Sequence, residues 1–192
     1  SLRASATGAI FLSDVVVLLW PTMNPDGQQM VGEWNAKNAG TPYEQAGLPV
    51  PFVSLPLADS RHPRVEALKA ELDAERSPPE LERLTSDLES ALRKELESAD
   101  VTIAHNVCSL HKNLALTAAL RNLQRSGALR RLILWHHDLA WTTPRYQSEL
   151  HPGYPWDLLR TDWGAEHVVV SATRRLELAQ LLDVKVTQLA RA

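Results

Sequence analysis

Strands alternating with helices from about Asp100 onward predict an α/β chain with a Rossmann-like, mostly parallel sheet and helices on both faces. Three features of the sequence support this. The apolar runs Val101 to His105, Leu132 to Trp135 and His167 to Val170 are each short and bounded by polar or turn residues, as buried strands are. Between the first two lies Lys112 to Leu123, apolar nearly all round and closed by Gly127, which reads as a helix buried between layers. A second helix runs from the capping residue Ser171 through Leu182, and Val184 to Leu189 begins one more strand.

The elements ahead of this region are less regular. Ile10 to Trp20, with Val15, Val16 and Val17 at its centre, reads as one buried strand. Met23 to Gly47 has no periodicity and reads as loop, with a short helix around Gln28 to Lys37. Val50 to Leu55 is a short strand whose flanking Pro51 and Pro56 place it at an edge. His62 to Glu75 turns helical, with Val65, Leu68 and Leu72 at spacings of three and four. Ser77-Pro-Pro-Glu80 has the form of a capping box and opens a helix with Leu81, Leu84, Leu88, Leu92 and Leu96 on one face.

With 192 residues, 44% of them hydrophobic, the chain can bury the core of one domain. Charged residues make up 22% and the net charge is -3, so no nucleic-acid footprint is present. The charges of residues 61–98 are those of a solvated helical face. One cysteine, Cys108, excludes an internal disulfide framework and fits a reducing compartment. The longest apolar run, Val15 to Trp20, is far short of the roughly 20 residues a transmembrane helix needs. The expected setting is therefore cytoplasmic. A first residue of Ser1 rather than Met leads us to expect a fragment of a longer protein.

Candidate chemistry gathers between Arg131 and Asp162. Two strands end in histidine, at His105-Asn106 and at His136-His137-Asp138. In a parallel sheet both clusters would face the crevice at the carboxyl ends, where ligands bind in open α/β folds. An imidazole beside a carboxylate has its tautomer and basicity set by that neighbour. The following segment interleaves Trp141, Tyr146, Tyr154 and Trp156 with Arg145, His151, Asp157 and Arg160. Aromatic faces stack on sugar rings and charged groups bind hydroxyls or phosphate, although such a cluster can equally pin down a long loop. Ser109 with Lys112 is a weaker candidate for an anion site, and Cys108 near His105 and His111 for a thiol nucleophile. No ligand spacing typical of a metal site occurs, and no glycine-rich nucleotide loop.

Ala99 to Asn106, Leu110 to Leu116, Leu134 to Trp141 and His151 to Asp157, taken as an ordered set, resemble the N-terminal half of a GT-B glycosyltransferase of the retaining "group 1" (family 4) type. The likeness spans roughly residues 48–183. Residues 1–47 match it poorly, and residues 48–192 would form the Rossmann-like N-terminal domain, the whole being one structural domain. The resemblance implies that His137 lies near donor sugar and acceptor with Asp138 orienting it. Around them His105, Asn106, His136, Trp141, Arg145, Tyr146, His151, Tyr154 and Trp156 would form the substrate surface. It implies a nucleotide-sugar donor, held through a second domain not in this sequence, a sugar or lipid-linked acceptor, and no further cofactor. Trp20-Pro-Thr-Met-Asn24 departs from the glycine-rich turn that follows the first strand in that family. The alternatives are a small α/β hydrolase with a His/Asp site, with or without a metal, and a non-catalytic ligand-binding module.

Overall fold

A computed structural model of the chain describes residue 53 and residues 55–76 and 78–192, together with three N-terminal strands at the level of the backbone. Those strands are β1 (Leu2–Ala4), β2 (Ile10–Leu12) and β3 (Val15–Leu19). The first two form a small antiparallel sheet of their own. β3 joins β4 (Val101–His105), β5 (Leu132–His136), β6 (Glu166–Val169) and the two-residue β7 (Ala190–Arg191) in a five-stranded sheet. Every pairing in this second sheet is parallel, so the expected Rossmann-like α/β architecture is the one the chain adopts.

Among the described residues four helices accompany the sheet: α1 (Pro63–Asp73), α2 (Glu80–Leu96), α3 (Leu114–Arg125) and α4 (Ala172–Leu182). α1 begins with Pro63 after His62, whose ring nitrogen accepts from the Arg64 amide at 3.2 Å. α2 turns Leu81, Leu84, Leu88, Leu92 and Leu96 inward, all buried, each side chain contributing about 1.5–3 kcal/mol on burial. α3 packs against α2 and ends at Gly127 (φ 71°). Gly127 donates to Gln124 and Ala128 donates to Leu123, which satisfies the last carbonyls of the helix.

In the described strands the order follows the chain order, and right-handed crossovers then fall on one face. Ala104, Leu132 and Leu134 on that face join the core formed by α1, α2 and α3. Val169, in register with His136 on the same face, packs with Leu178, Ala179 and Leu182 of α4. The opposite face carries Ile103, His105, Ile133, Trp135 and Val168, all half-buried. The described helices thus pack on one face, where helices on both were expected, and His105 and Trp135 lie on the other.

Several elements differ from the expectation. The single strand Ile10 to Trp20 is two, one in each sheet. α3 begins at Leu114 rather than Lys112, and its cap is Asn113, whose side chain accepts from the Leu116 amide at 3.1 Å. Ser109 instead bonds to Asn106. α2 starts after Pro79 without a side-chain cap; Ser77 lies outside the described residues. Val184 to Leu189 holds a 3-10 turn, Val186–Gln188, and the strand follows it. Val53 and Leu55 are not in a strand, and the rest of Val50 to Leu55 up to Ser54, like Met23 to Gly47, lies outside the described residues. Among the described residues no helix is long and apolar enough to cross a membrane.

Leu88, with no exposed surface, and Leu176, 60% exposed on α4, separate core from surface. Leu88→Ala is expected to cost about 2–5 kcal/mol, and Leu176→Ala no more than about 0.5 kcal/mol. Urea unfolding followed by circular dichroism measures both.

Candidate functional site

β4 and β5 end side by side, with His105 in register with Trp135. Asn106 follows in the left-handed region (φ 57°), which asparagine tolerates better than most residues. Its amide donates to the Trp135 carbonyl at 2.6 Å. Its side-chain carbonyl accepts from the His137 amide at 3.1 Å, the Asp138 amide at 3.3 Å and Ser109 Oγ at 3.3 Å. One buried side chain therefore locks the turn after β4 to the turn after β5.

Strand alternation sends His105 and His137 to the face away from the helices. Their Nε2 atoms are 3.1 Å apart and their ring centroids 4.6 Å, with Trp135 stacked on His105 at 5.9 Å. Burial, and then the neighbouring His137, hold the His105 imidazole below its usual value, so it is neutral at neutral pH. The Asp138 carboxylate, expected to orient His137, is instead paired with Arg174 at 3.3 Å and Arg145 at 3.6 Å, and the ring partner of His137 is His105. Arg174 lies in the first turn of α4, where it also meets Glu177 at 2.5 Å.

His136 points the other way, into the helix-covered side, and is 3% exposed. Its Nε2 lies 3.0 Å from His167 Nδ1, and His167 Nε2 lies 3.6 Å from Asp162. Burial, reinforced by His167, pulls the His136 pKa down to about 3. This places His136, expected on the substrate surface, among the neutral structural groups.

The aromatic segment also divides. Tyr146 and Trp156 are 8% and 5% exposed and belong to the main core, so they pin the segment rather than face a ligand. They are more buried than Trp135, the reverse of what the apolar strand context suggests. Trp141 is partly buried, donates to the Trp156 carbonyl at 3.3 Å and carries Arg160 over its ring at 4.2 Å. His151 meets Trp156 edge-on at 4.9 Å. Tyr154 is 58% exposed. Arg145 connects the segment to the histidine cluster: it reaches Asp138 and lies over the Tyr146 ring.

A second polar network joins this segment to α1 and the approach to α3. Glu149 accepts from His111 Nε2 at 2.9 Å and pairs with Lys69 at 2.9 Å and Lys112 at 3.4 Å. Burial pushes the Glu149 carboxyl up, but hydrogen bonds from Lys69 and His111 outweigh it and bring the pKa down to about 2. His111, with a fully buried side chain, is neutral because burial outweighs the pull of Glu149. Lys112 is thus engaged with Glu149 and Ser109 with Asn106, so they do not form an anion cradle. Cys108 is buried and its thiol is pushed far up by that burial, which removes it as a nucleophile at neutral pH. Among the described residues no three His, Cys, Asp or Glu side chains converge as metal ligands.

Sequence reasoning missed Arg174, Glu149, Asp162 and His167. Arg174 could have been found from its position three residues after the cap Ser171 at the end of a strand. Glu149 and His111 are 38 positions apart, and no local pattern links them.

The buried groups set an acid limit on stability. His136 has a folded value of about 3, below its ordinary 6.5, so its contribution is complete above about 6.5 and is lost as pH falls toward 3. Glu149 adds a second loss between about 4.5 and 2. His136→Leu should lose less stability than the parent between about pH 7 and about pH 5 in urea titrations. An equal loss would contradict the assignment of His136 as buried and neutral.

No protein-family model, no curated protein and no solved structure matches the chain.

Proposed function

We propose that the chain is the acceptor-side, N-terminal half of a GT-B glycosyltransferase of the retaining type, working with a nucleotide-sugar-binding domain. The observation that carries this reading is the convergence of His105, His137 and Asp138 at the carboxyl ends of adjacent parallel strands. That is where open α/β sheets bind their ligands. In the proposed reaction His137 meets the sugar near the reacting centre, and Asp138, fixed by Arg174, sets the rim that the acceptor enters. Arg145 is exposed, and turning from Asp138 it would bring positive charge to a departing diphosphate. Trp141, His151 and Tyr154 are the remaining members of the aromatic segment with surface to offer a sugar or lipid-linked acceptor. A cytoplasmic setting belongs to the same reading.

Donor and acceptor must be held together for the advantage of bound reactants to appear, and the described residues supply no phosphate cradle. Residues 1–192 alone should therefore give no turnover with a panel of nucleotide sugars and acceptors, and little binding of uridine or guanosine diphosphate. Joined to a nucleotide-sugar-binding second domain, the chain should transfer sugar. In that enzyme His137→Ala should reduce transfer by ~10²-fold or more with thermal unfolding unchanged. Robust transfer by residues 1–192 alone would place the donor site within this chain. Full activity in His137→Ala would remove His137 from the site.

A further inference from the structure

We propose that His105 is the positioning residue for His137: it occupies Nε2 of His137, leaves Nδ1 as the ring nitrogen that His137 offers a sugar hydroxyl, and ties together the tautomers of the two rings. Only the identity of that hydroxyl rests on the function proposed above. An Nε2-to-Nε2 separation of 3.1 Å is a hydrogen-bond distance. One hydrogen bond holds one proton, so one Nε2 donates and the other accepts. A neutral imidazole carries its proton on a single nitrogen. If His137 donates from Nε2, its Nδ1 is a lone pair that accepts from a hydroxyl; if it accepts at Nε2, its Nδ1–H donates. His105 must take the complementary form in each case.

The surroundings favour a neutral or singly protonated pair. Two charged rings 4.6 Å apart on a half-buried face would repel, and burial already keeps His105 neutral. Trp135, stacked on His105 at 24° between ring planes, fixes the plane from which Nε2 reaches its neighbour. Among the described residues the charged groups nearby are few. Asp138 is paired with Arg174 and Arg145, Glu166 at the far end of β6 is paired with Arg131, and His136 lies on the opposite face. On the other side the backbone partner of His105 is Leu19 of β3.

Long-range proton–nitrogen NMR of the 15N-labelled chain, titrated across the neutral and acidic range, reads each ring directly. In the parent at neutral pH the two rings should show opposite tautomers, with Nε2–H in one and Nδ1–H in the other. His137→Phe keeps a ring against His105 but removes the nitrogen it bonds to, so the tautomer of His105 should no longer be held to the form it takes in the parent. A residue serving only to fill space would move neither readout. Like tautomers in the two rings of the parent, or a His105 tautomer unchanged in His137→Phe, would overturn the proposal. The parent measurement stands even if a variant folds poorly. None of these readouts needs turnover, so their failure is distinct from failure of sugar transfer.

Discussion

The geometry of the candidate site depends on Asn106. A parallel pair of strands leaves its carboxyl ends unjoined, because each strand runs on into a separate connection. Here one side chain accepts from two amides of the neighbouring turn and from Ser109, while its backbone amide donates to Trp135. Each such bond contributes about 0.5–1.5 kcal/mol net, but the larger effect is geometric. Without it the turn that carries His137 and Asp138 would be held beyond β5 by the His137–His105 contact, the arginine pairs of Asp138 and the bond from the Ala140 amide to the Ser109 carbonyl. The left-handed backbone at residue 106 lets the side chain fold back across the strand ends, and asparagine offers both the conformation and the acceptor.

The strand period then distributes the histidines. His136 and His137 are adjacent in sequence but face opposite sides of the sheet. His136 enters the helix-covered side and pairs with His167, whereas His137 reaches the other side and meets His105. The same alternation explains why Trp135 is only half-buried and why Leu134 is a core residue. A polar cluster that reads as one motif is therefore two environments, one buried on the helix-covered side, the other half-buried on the opposite face.

The strands β4, β5 and β6 and the helices α1, α2 and α4 were legible because each carries a clean apolar period between turn or cap residues. The split of Ile10 to Trp20 did have a mark, the polar pair Ser13-Asp14 that interrupts the apolar run, but reading the stretch as one strand passed over it. That His105, His137 and Asp138 come together at neighbouring strand ends was legible from their positions, a signal that survives without knowing the packing. The role of Trp156 and Tyr146 was not, because an aromatic in a long segment looks the same whether it binds a ligand or anchors the segment to a core. That choice depends on α1, α2 and α3 packing beside it, which is a tertiary matter. Likewise Glu149 and its partners Lys69, His111 and Lys112 come from three separate parts of the chain, and only the fold brings them together.

The site's assignment to the strand ends can be tested most directly by mapping amide chemical shifts of the 15N-labelled chain while titrating hydroxyl-rich mono- and disaccharides. Recognition there should perturb His105, Asn106, His137 and Asp138 together, with the amides of the buried leucines of α2 unmoved. Perturbation confined to the segment from Trp141 to Trp156, with the strand ends silent, would contradict it.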